Sequence, residues 1–321
     1  MKKIGVLTTG GDAPGMNAAL RAVVRTALSY DFEITGIEQG FRGLYEKSFM
    51  KLTSRSVSGI INKAGTFLKT ARFPEFKEKK IREICYKNLQ AEQIEGLVIV
   101  GGDGSSKGAY YFSNDFDFPV VLIPASIDND LYGTECTLGF DTAVNTAVTV
   151  IDNIRNTATS HNRTFVIEVM GKEKGNLALA VALSCGAEIA IIPEIKMEEK
   201  NIVRTLKEQA DKGKVSSIIV IAEGAGKAED LTAFLQEALP DREIRYSVLG
   251  YIQRGGIPTY LTRVLATRYG VSAVNLLAQG RYPYMVGLSK NEIVDVPLKE
   301  VISNQTKISE TDLDIIHKMA I

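Results

Sequence analysis

Tryptophan is absent, histidine occurs only at His161 and His317, and cysteine only at Cys85, Cys136 and Cys185. With only two histidines, a Ser-His-Asp or other imidazole relay has few candidates, so acid–base chemistry falls to carboxylates. Three cysteines cannot all pair and lack the close spacing of zinc ligands; they fit a reducing compartment and read as small buried apolar side chains. An excess of charge of either sign is missing as well, with 38 basic and 38 acidic side chains. Neither nucleic acid nor an anionic membrane is therefore a general partner, and any anion site must be local. The most apolar window, 177–192, is interrupted by Ser184, Gly186 and Glu188. It falls short of the roughly 20 residues of a membrane span and reads as a core helix running into a strand. Lys2 and Lys3 lead directly into a short strand without a signal-like apolar segment, so the expected location is cytoplasmic. The Walker A pattern, the protein-kinase signatures and HExxH are all missing, which removes the commonest nucleotide and zinc chemistries.

What is present is an ordinary globular composition, 45% hydrophobic and 24% charged over 321 residues, enough for a large core divided between two lobes. Near-continuous apolar runs at 3–7, 33–37, 97–100, 120–123, 164–169, 189–192 and 217–222 read as strands buried on both faces. Between them, helical spacing recurs at 16–28, 79–90, 142–157, 198–212 and 263–277. Alternation of this kind predicts an α/β fold with two lobes, each a largely parallel sheet flanked by helices. Lobe boundaries are expected near 138–141, where a long helix starts, and near 250–258, where a glycine-rich loop precedes another.

Two glycine turns carrying an acid, GGDAPG at 10–15 and GGDGS at 101–105, each follow a predicted strand and open a predicted helix. Glycines let the backbone approach phosphate oxygens, amides and a helix N-terminus supply positive potential, and Asp103 can hold the Mg²⁺ that a triphosphate carries. PASIDND at 124–130 adds Asp128, Asp130 and the Ser126 hydroxyl at the end of a third strand. Ligands of such sheets bind beyond the carboxyl ends of strands, so the three segments should converge. Asp128 and Asp130 point the same way if the stretch is extended; alternatively, an Asp-Asn-Asp turn caps a helix. Arg72, Arg163, Arg245 and Arg254 sit beside glycines or loops, where a planar guanidinium suits phosphate, although a single arginine usually reads as a solvated charge. Arg254, next to Gly255 and Gly256, fits that alternative least. The residues by themselves support a metal-dependent phosphotransferase acting on a phosphorylated small molecule.

Taken in order, GVLTTGGDAPGMNAALR, GTFLKTARFPEF, GGDGS, PASIDND, TSHNR, VMGKEKG, AEG and LGYIQRGG resemble the bacterial ATP-dependent 6-phosphofructokinase family, from Lys3 to about Gly287. The resemblance implies transfer of the γ-phosphoryl group of Mg·ATP to the 1-hydroxyl of fructose 6-phosphate. It implies an ATP-binding lobe at 1–139 plus about 252–305 and a sugar-phosphate lobe at 140–251 plus about 306–321. Gly11, Arg72, Phe73, Asp103, Gly104 and Ser105 match positions that hold ATP, with Asp103 on Mg²⁺. Asp128 matches the base, Asp130 its supporting acid, and Ser126 the hydroxyl beside them. Met170, Gly171, Glu223 and Arg254 match fructose 6-phosphate contacts, and Lys172 replaces an arginine that meets the transferring phosphoryl group. Arg163 and Arg245 match arginines that reach the sugar phosphate of a neighbouring subunit, which implies a homotetramer.

The departures bear on activity. Members usually read PGTIDND, whereas this chain has Ala125, whose methyl is expected beside the phosphoryl path, and Ser126, which keeps the hydroxyl on a freer rotor. Tyr251 replaces a histidine that binds the 6-phosphate and brings no positive charge. Gly104 and Ala125 lack the Asp and Lys of the pyrophosphate-dependent branch, which favours ATP. The effector site for ADP or phosphoenolpyruvate is matched by Arg21, Arg25, Arg155, Glu188, Lys212 and Lys214, but not at Ser54, Gly59 or Val215. Alternatives consistent with these departures are a paralogue acting on another phosphorylated sugar and a catalytically weakened nucleotide or sugar-phosphate sensor.

Overall fold

The protein is described here by a computed structural model covering residues 1–320. Its chain divides into two compact units, 1–142 with 254–306 and 143–253 with 307–320. The first opens with β1 (Lys3–Thr9), α1 (Met16–Ser29), β2 (Glu33–Ile37), α2 (Gly40–Glu46), β3 (Phe49–Lys51), α3 (Lys79–Ala91), β4 (Leu97–Gly101), α4 (Asp103–Phe116), β5 (Val120–Ser126) and β6 (Leu138–Gly139). After α5 (Phe140–Ser160), the second unit runs through β7 (Thr164–Val169), α6 (Asn176–Cys185), β8 (Ile189–Ile191), α7 (Glu199–Asp211), β9 (Ser217–Ala222), α8 (Ala228–Ala238) and β10 (Ile244–Val248). The chain then returns to the first unit for α9 (Tyr260–Ala278), β11 (Tyr284–Ser289), β12 (Glu292–Pro297) and α10 (Leu298–Ser303), and ends with α11 (Glu310–Met319) in the second.

The first unit's main sheet has the order β12-β11-β5-β4-β1-β2-β3, with β6 paired to β5. Its centre is parallel, and only the two edge pairs, β11–β12 and β2–β3, are antiparallel. The central strands are buried along almost their whole length, which is why their sequences are runs of Val, Ile and Leu rather than alternating patterns. Leu7, Ile99, Leu122 and Phe112 belong to one core on this sheet. The second unit's sheet, β10-β7-β9-β8, is parallel throughout and carries a separate core around Val166, Ile219, Leu206 and Leu235.

Sequence periodicity located β1, β2, β4, β5, β7, β8 and β9 and helices α1, α3, α5, α7 and α9 to within a few residues, but it did not place β3, β6, β10, β11, β12, α2, α8, α10 or α11. α9 starts at Tyr260, ahead of the expected 263, because the Thr259 side chain accepts a hydrogen bond from the Thr262 amide and caps the helix. α5 starts at Phe140 and runs to Ser160, longer at both ends than 142–157. Window 177–192 does contain a core helix, α6, followed by β8. Among the cysteines, Cys85 and Cys185 are buried, whereas Cys136 is only partly so because it lies in the loop before β6.

Candidate functional site

In the first unit, β1, β4 and β5 lie side by side, and Thr9, Gly101 and Pro124 are in register at their carboxyl ends. GGDAPG leaves the first of these ends for α1, GGDGS leaves the second for α4, and PASIDND leaves the third. The backbone turns there in left-handed conformations at Gly10 and Gly15, φ 90° and 95°, that L side chains avoid. Ser105 Oγ donates to the Thr9 carbonyl at 3.2 Å and joins the second turn to the first. Thr70 Oγ1 donates to the Gly10 carbonyl at 2.8 Å, which brings the segment carrying Arg72 and Phe73 to the same edge. Gly11 lies under the Arg254 guanidinium: a methyl at Gly11 would stand 3.4 Å from Arg254 Nη1. Arg254 Nη1 is in turn 3.8 Å from Asp12 Oδ1, so the first turn carries a mostly buried cation.

Asp103 occupies the first turn of α4, half-exposed, with its carboxylate 2.7 Å from Lys107 Nζ one turn along. A methyl built on Gly104 would meet nothing within 4 Å, so the helix start is open. No group of three or more His, Cys, Asp or Glu side chains fit to hold a metal occurs among the described residues. One accessible carboxylate at a phosphate-type turn nevertheless suits Mg²⁺, which keeps several waters and takes most other ligands from substrate phosphates.

PASIDND is neither extended throughout nor the cap of a helix. β5 ends at Ser126, Asn129 turns the chain with φ 50°, and the next element is β6, so the helix-capping alternative falls. The turn is built from side chains. Ser126 Oγ donates to Asp130 Oδ1 at 3.0 Å and accepts the Asp128 amide at 3.2 Å. Asn129 Oδ1 accepts the Thr137 amide at 2.8 Å, while Thr137 Oγ1 donates to the Ser126 carbonyl at 2.5 Å. Asp128 is thereby held 4% exposed at the sheet's edge, and one hydroxyl links it to Asp130. Ala125 is buried within β5 and aligned with Leu138, so its methyl adds to packing there and is not open to solvent.

The ARFPEF segment has a support that sequence reading missed. Arg82 on α3 donates from Nη1 to the carbonyls of Phe76 and Lys77, at 3.0 and 2.7 Å, and pairs through Nη2 with Asp115 at 2.6 Å. Phe76 stacks on Phe41 with ring centroids 3.8 Å apart, and Phe73 lies beside Tyr45. An arginine in an amphipathic helix reads as a solvated charge, so only its burial distinguishes it.

In the second unit, β7 and β9 are adjacent, and Met170, Gly171, Lys172 and Glu223 follow their carboxyl ends. Glu223 Oε1 accepts the amides of Gly171 and Lys172 at 3.2 and 2.8 Å. Gln253 Oε1 accepts the Met170 amide at 3.0 Å. Tyr251 lies on the same 3₁₀ turn as Gln253 and is 78% exposed. Arg163 and Arg245 are at the opposite ends of these strands: Arg163 precedes β7, and Arg245 is aligned with Phe165. Seven residue steps, about 23 Å, separate Arg163 from Met170, and five, about 17 Å, separate Met170 from Phe165, with which Arg245 is aligned. Both arginines reach Glu243, at 2.8 and 2.7 Å, and their hydrogen bonds, Arg163 first, hold its carboxyl below the usual range.

The remaining charged candidates form one compact group and several dispersed positions. Glu188, 3% exposed, takes Lys214 Nζ at 2.8 Å and Arg155 Nη1 at 3.9 Å on one oxygen, and the Ile218 amide at 2.5 Å on the other. Arg155 Nη2 also donates to the carbonyls of Cys185 and Gly186. Lys212 ends α7 and is exposed, while Arg21 and Arg25 lie one turn apart on α1 of the first unit.

A family model described as phosphofructokinase matches residues 3–277. An ATP-dependent 6-phosphofructokinase of Persephonella marina is 50% identical over 302 residues, 93% of each chain. One from a Sulfurihydrogenibium species is 47% identical over 311 residues, 96% of each chain. Among solved structures, phosphofructokinase from Saccharomyces cerevisiae superposes with a TM-score of 0.89 at 34% identity. That comparison covers 94% of this chain but 45% of the yeast chain, so this chain spans less than half of that relative's length.

Proposed function

This chain belongs to the phosphofructokinase family, and we propose on that premise that it transfers the γ-phosphoryl group of Mg·ATP to the 1-hydroxyl of fructose 6-phosphate. The products are fructose 1,6-bisphosphate and ADP, a step of glycolysis, and the working location is the cytoplasm. The observation that carries the chemistry is the Ser126-centred link between Asp128 and Asp130 at the carboxyl end of β5, beside two glycine turns on the neighbouring strands.

ATP lies against Gly11, Gly104 and Ser105, where main-chain amides and the start of α4 meet its phosphates, with Arg72 and Phe73 alongside. The open position at Gly104 leaves room for a nucleotide. Asp103 holds Mg²⁺, whose chemistry is to neutralise charge on the phosphate oxygens. Asp128 accepts the proton of the sugar's 1-hydroxyl, and Asp130, joined to Ser126, keeps that turn in place. Met170, Gly171, Glu223, Tyr251 and Arg254 orient fructose 6-phosphate, and Lys172 supplies positive charge to the phosphoryl group in transfer. Arg163 and Arg245, about 17–23 Å from Met170 along β7, serve the sugar phosphate of a neighbouring subunit in a homotetramer. Their distance from the other acceptor residues supports that division of labour. Arg21, Arg25, Arg155, Glu188, Lys212 and Lys214 form the effector site for ADP or phosphoenolpyruvate, weakened by Ser54, Gly59 and Val215.

The test is ADP formation from Mg·ATP with fructose 6-phosphate and other sugar phosphates, in the parent and in Asp128→Asn. Turnover with fructose 6-phosphate that falls about 10² to 10⁴-fold in the variant is expected, the usual worth of a positioned base. Turnover only with a different sugar phosphate would overturn the acceptor, and an unaffected variant would overturn the base. In the same assay, hyperbolic saturation unmoved by ADP is expected; strong sigmoidality relieved by ADP would contradict the weakened effector site.

A further inference from the structure

We infer that Gln253 is a positioning residue for the acceptor, acting through the main chain of the 170–172 turn; this rests on the reading of that turn as the fructose 6-phosphate site. The turn departs from ordinary backbone geometry: Gly171 has φ 141° and Lys172, a non-glycine residue, has φ 50°. Conformations of that kind persist only where their surroundings over-determine them. Here three successive amides are each held by a side-chain acceptor, Met170 by Gln253 and the next two by Glu223. The other face of the turn is closed by Gly224, where a methyl would lie 1.9 Å from the Lys172 carbonyl oxygen.

Of the two acceptors, Gln253 has the stronger case for a dedicated role. Its side chain is completely buried. A buried primary amide is costly unless its polar atoms are used, and an apolar residue of similar volume would serve packing alone better. The hydrogen bond from the Met170 amide to Gln253 Oε1 is what makes an acceptor valuable at this position, while Nε2 meets no acceptor among the described residues. Met170 and Gly171 are proposed to touch the sugar, whereas Gln253 lies beneath them, so its influence on the acceptor passes through their main chain. The same 3₁₀ turn carries Tyr251, so the hydrogen bond also ties the two acceptor-facing segments of the second unit together.

Gln253→Met removes the acceptor at nearly constant volume, and Gln253→Glu keeps an oxygen there, as a neutral acid in so buried a place. In the full-length protein, Gln253→Met should raise the KM for fructose 6-phosphate about tenfold, the effect of one well-placed hydrogen bond. The KM for ATP should stay within about twofold on the same reasoning, and Gln253→Glu should recover most of the loss. Hydrogen exchange followed by mass spectrometry should show faster exchange in the peptide spanning 170–172 of Gln253→Met, with β7 and β9 still protected. An unchanged sugar KM in both variants would overturn the inference. So would equal changes in both KM values with exchange raised throughout the unit, since that pattern belongs to a structural role. If Gln253→Met does not fold, a Gln253→Glu variant with weakened ATP binding but intact sugar binding would overturn it equally. Should the parent fail to phosphorylate fructose 6-phosphate at all, the acceptor reading fails, and hydrogen exchange alone still decides whether Gln253 holds the turn.

Discussion

Replacing Ser126 with alanine tests the proposed catalytic turn at its most economical point, because one hydroxyl contacts both the Asp128 amide and the Asp130 carboxylate. The bond to Asp130, at 3.0 Å, ends on a carboxylate, and hydrogen bonds to charged groups contribute about 1.5–3 kcal/mol. If that stabilisation is lost in the transition state, kcat falls about 10- to 150-fold, at 1.36 kcal/mol per decade. The bond from the Asp128 amide, at 3.2 Å, helps set where the proposed base sits, so the KM for ATP should move little while kcat carries the effect. Ser126→Thr retains the hydroxyl on a β-branched side chain with fewer χ1 states, and its kcat should equal or exceed the parent's by a few-fold. Initial rates of ADP formation with both substrates saturating, alongside thermal unfolding of each variant, make the comparison. An alanine variant with kcat within about twofold of the parent would refute the reasoning, as would a threonine variant impaired as much as alanine.

Two further predictions concern stability. Arg82→Met leaves Asp115 without its guanidinium in a pair whose side chains are 7% and 17% exposed, and should lower unfolding free energy by about 3–5 kcal/mol in urea titrations; a loss below about 1 kcal/mol would mean that the pair behaves as a surface contact. Burial pushes the thiol of Cys85 up to about 12 and those of Cys136 and Cys185 up to about 11. Unfolded thiols ionise first as pH rises, so the unfolded state binds fewer protons above about pH 8.5 and stability should fall from there towards pH 11. Urea midpoints at pH 8 and pH 10 check the sign, and a midpoint that rises would contradict it.

Much of the fold could be read locally. Val98, Ile99, Val100 and Val121, Leu122, Ile123 are buried on both faces of a parallel sheet, so their strands announce themselves as unbroken apolar runs. The antiparallel edge strands β3 and β12 are interrupted by exposed or half-exposed polar residues, Lys51 in one and Glu292 and Asp295 in the other, and they are seen only when paired. Candidate site residues on glycine turns were legible for the same reason, since Gly10 and Gly15 need conformations that only particular residues accept. Arg82 was not, nor was the role of Gln253 inside the LGYIQRGG segment, because a local sequence does not distinguish a buried arginine or glutamine from a solvated one.

The sequence by itself determined the α/β alternation, the glycine turns at strand ends and the acids available for chemistry, because backbone conformation and hydrophobic burial act over a few residues. Only the tertiary structure decided that β1, β4 and β5 are neighbours, that Ser126 joins Asp128 to Asp130, and that Arg163 and Arg245 gather on Glu243 far from Met170. Strand order and partner choice depend on packing between residues distant in the chain, such as Thr9 with Ser105 or Met170 with Gln253. No local pattern encodes those pairings; they arise when buried polar groups must find partners in the folded core.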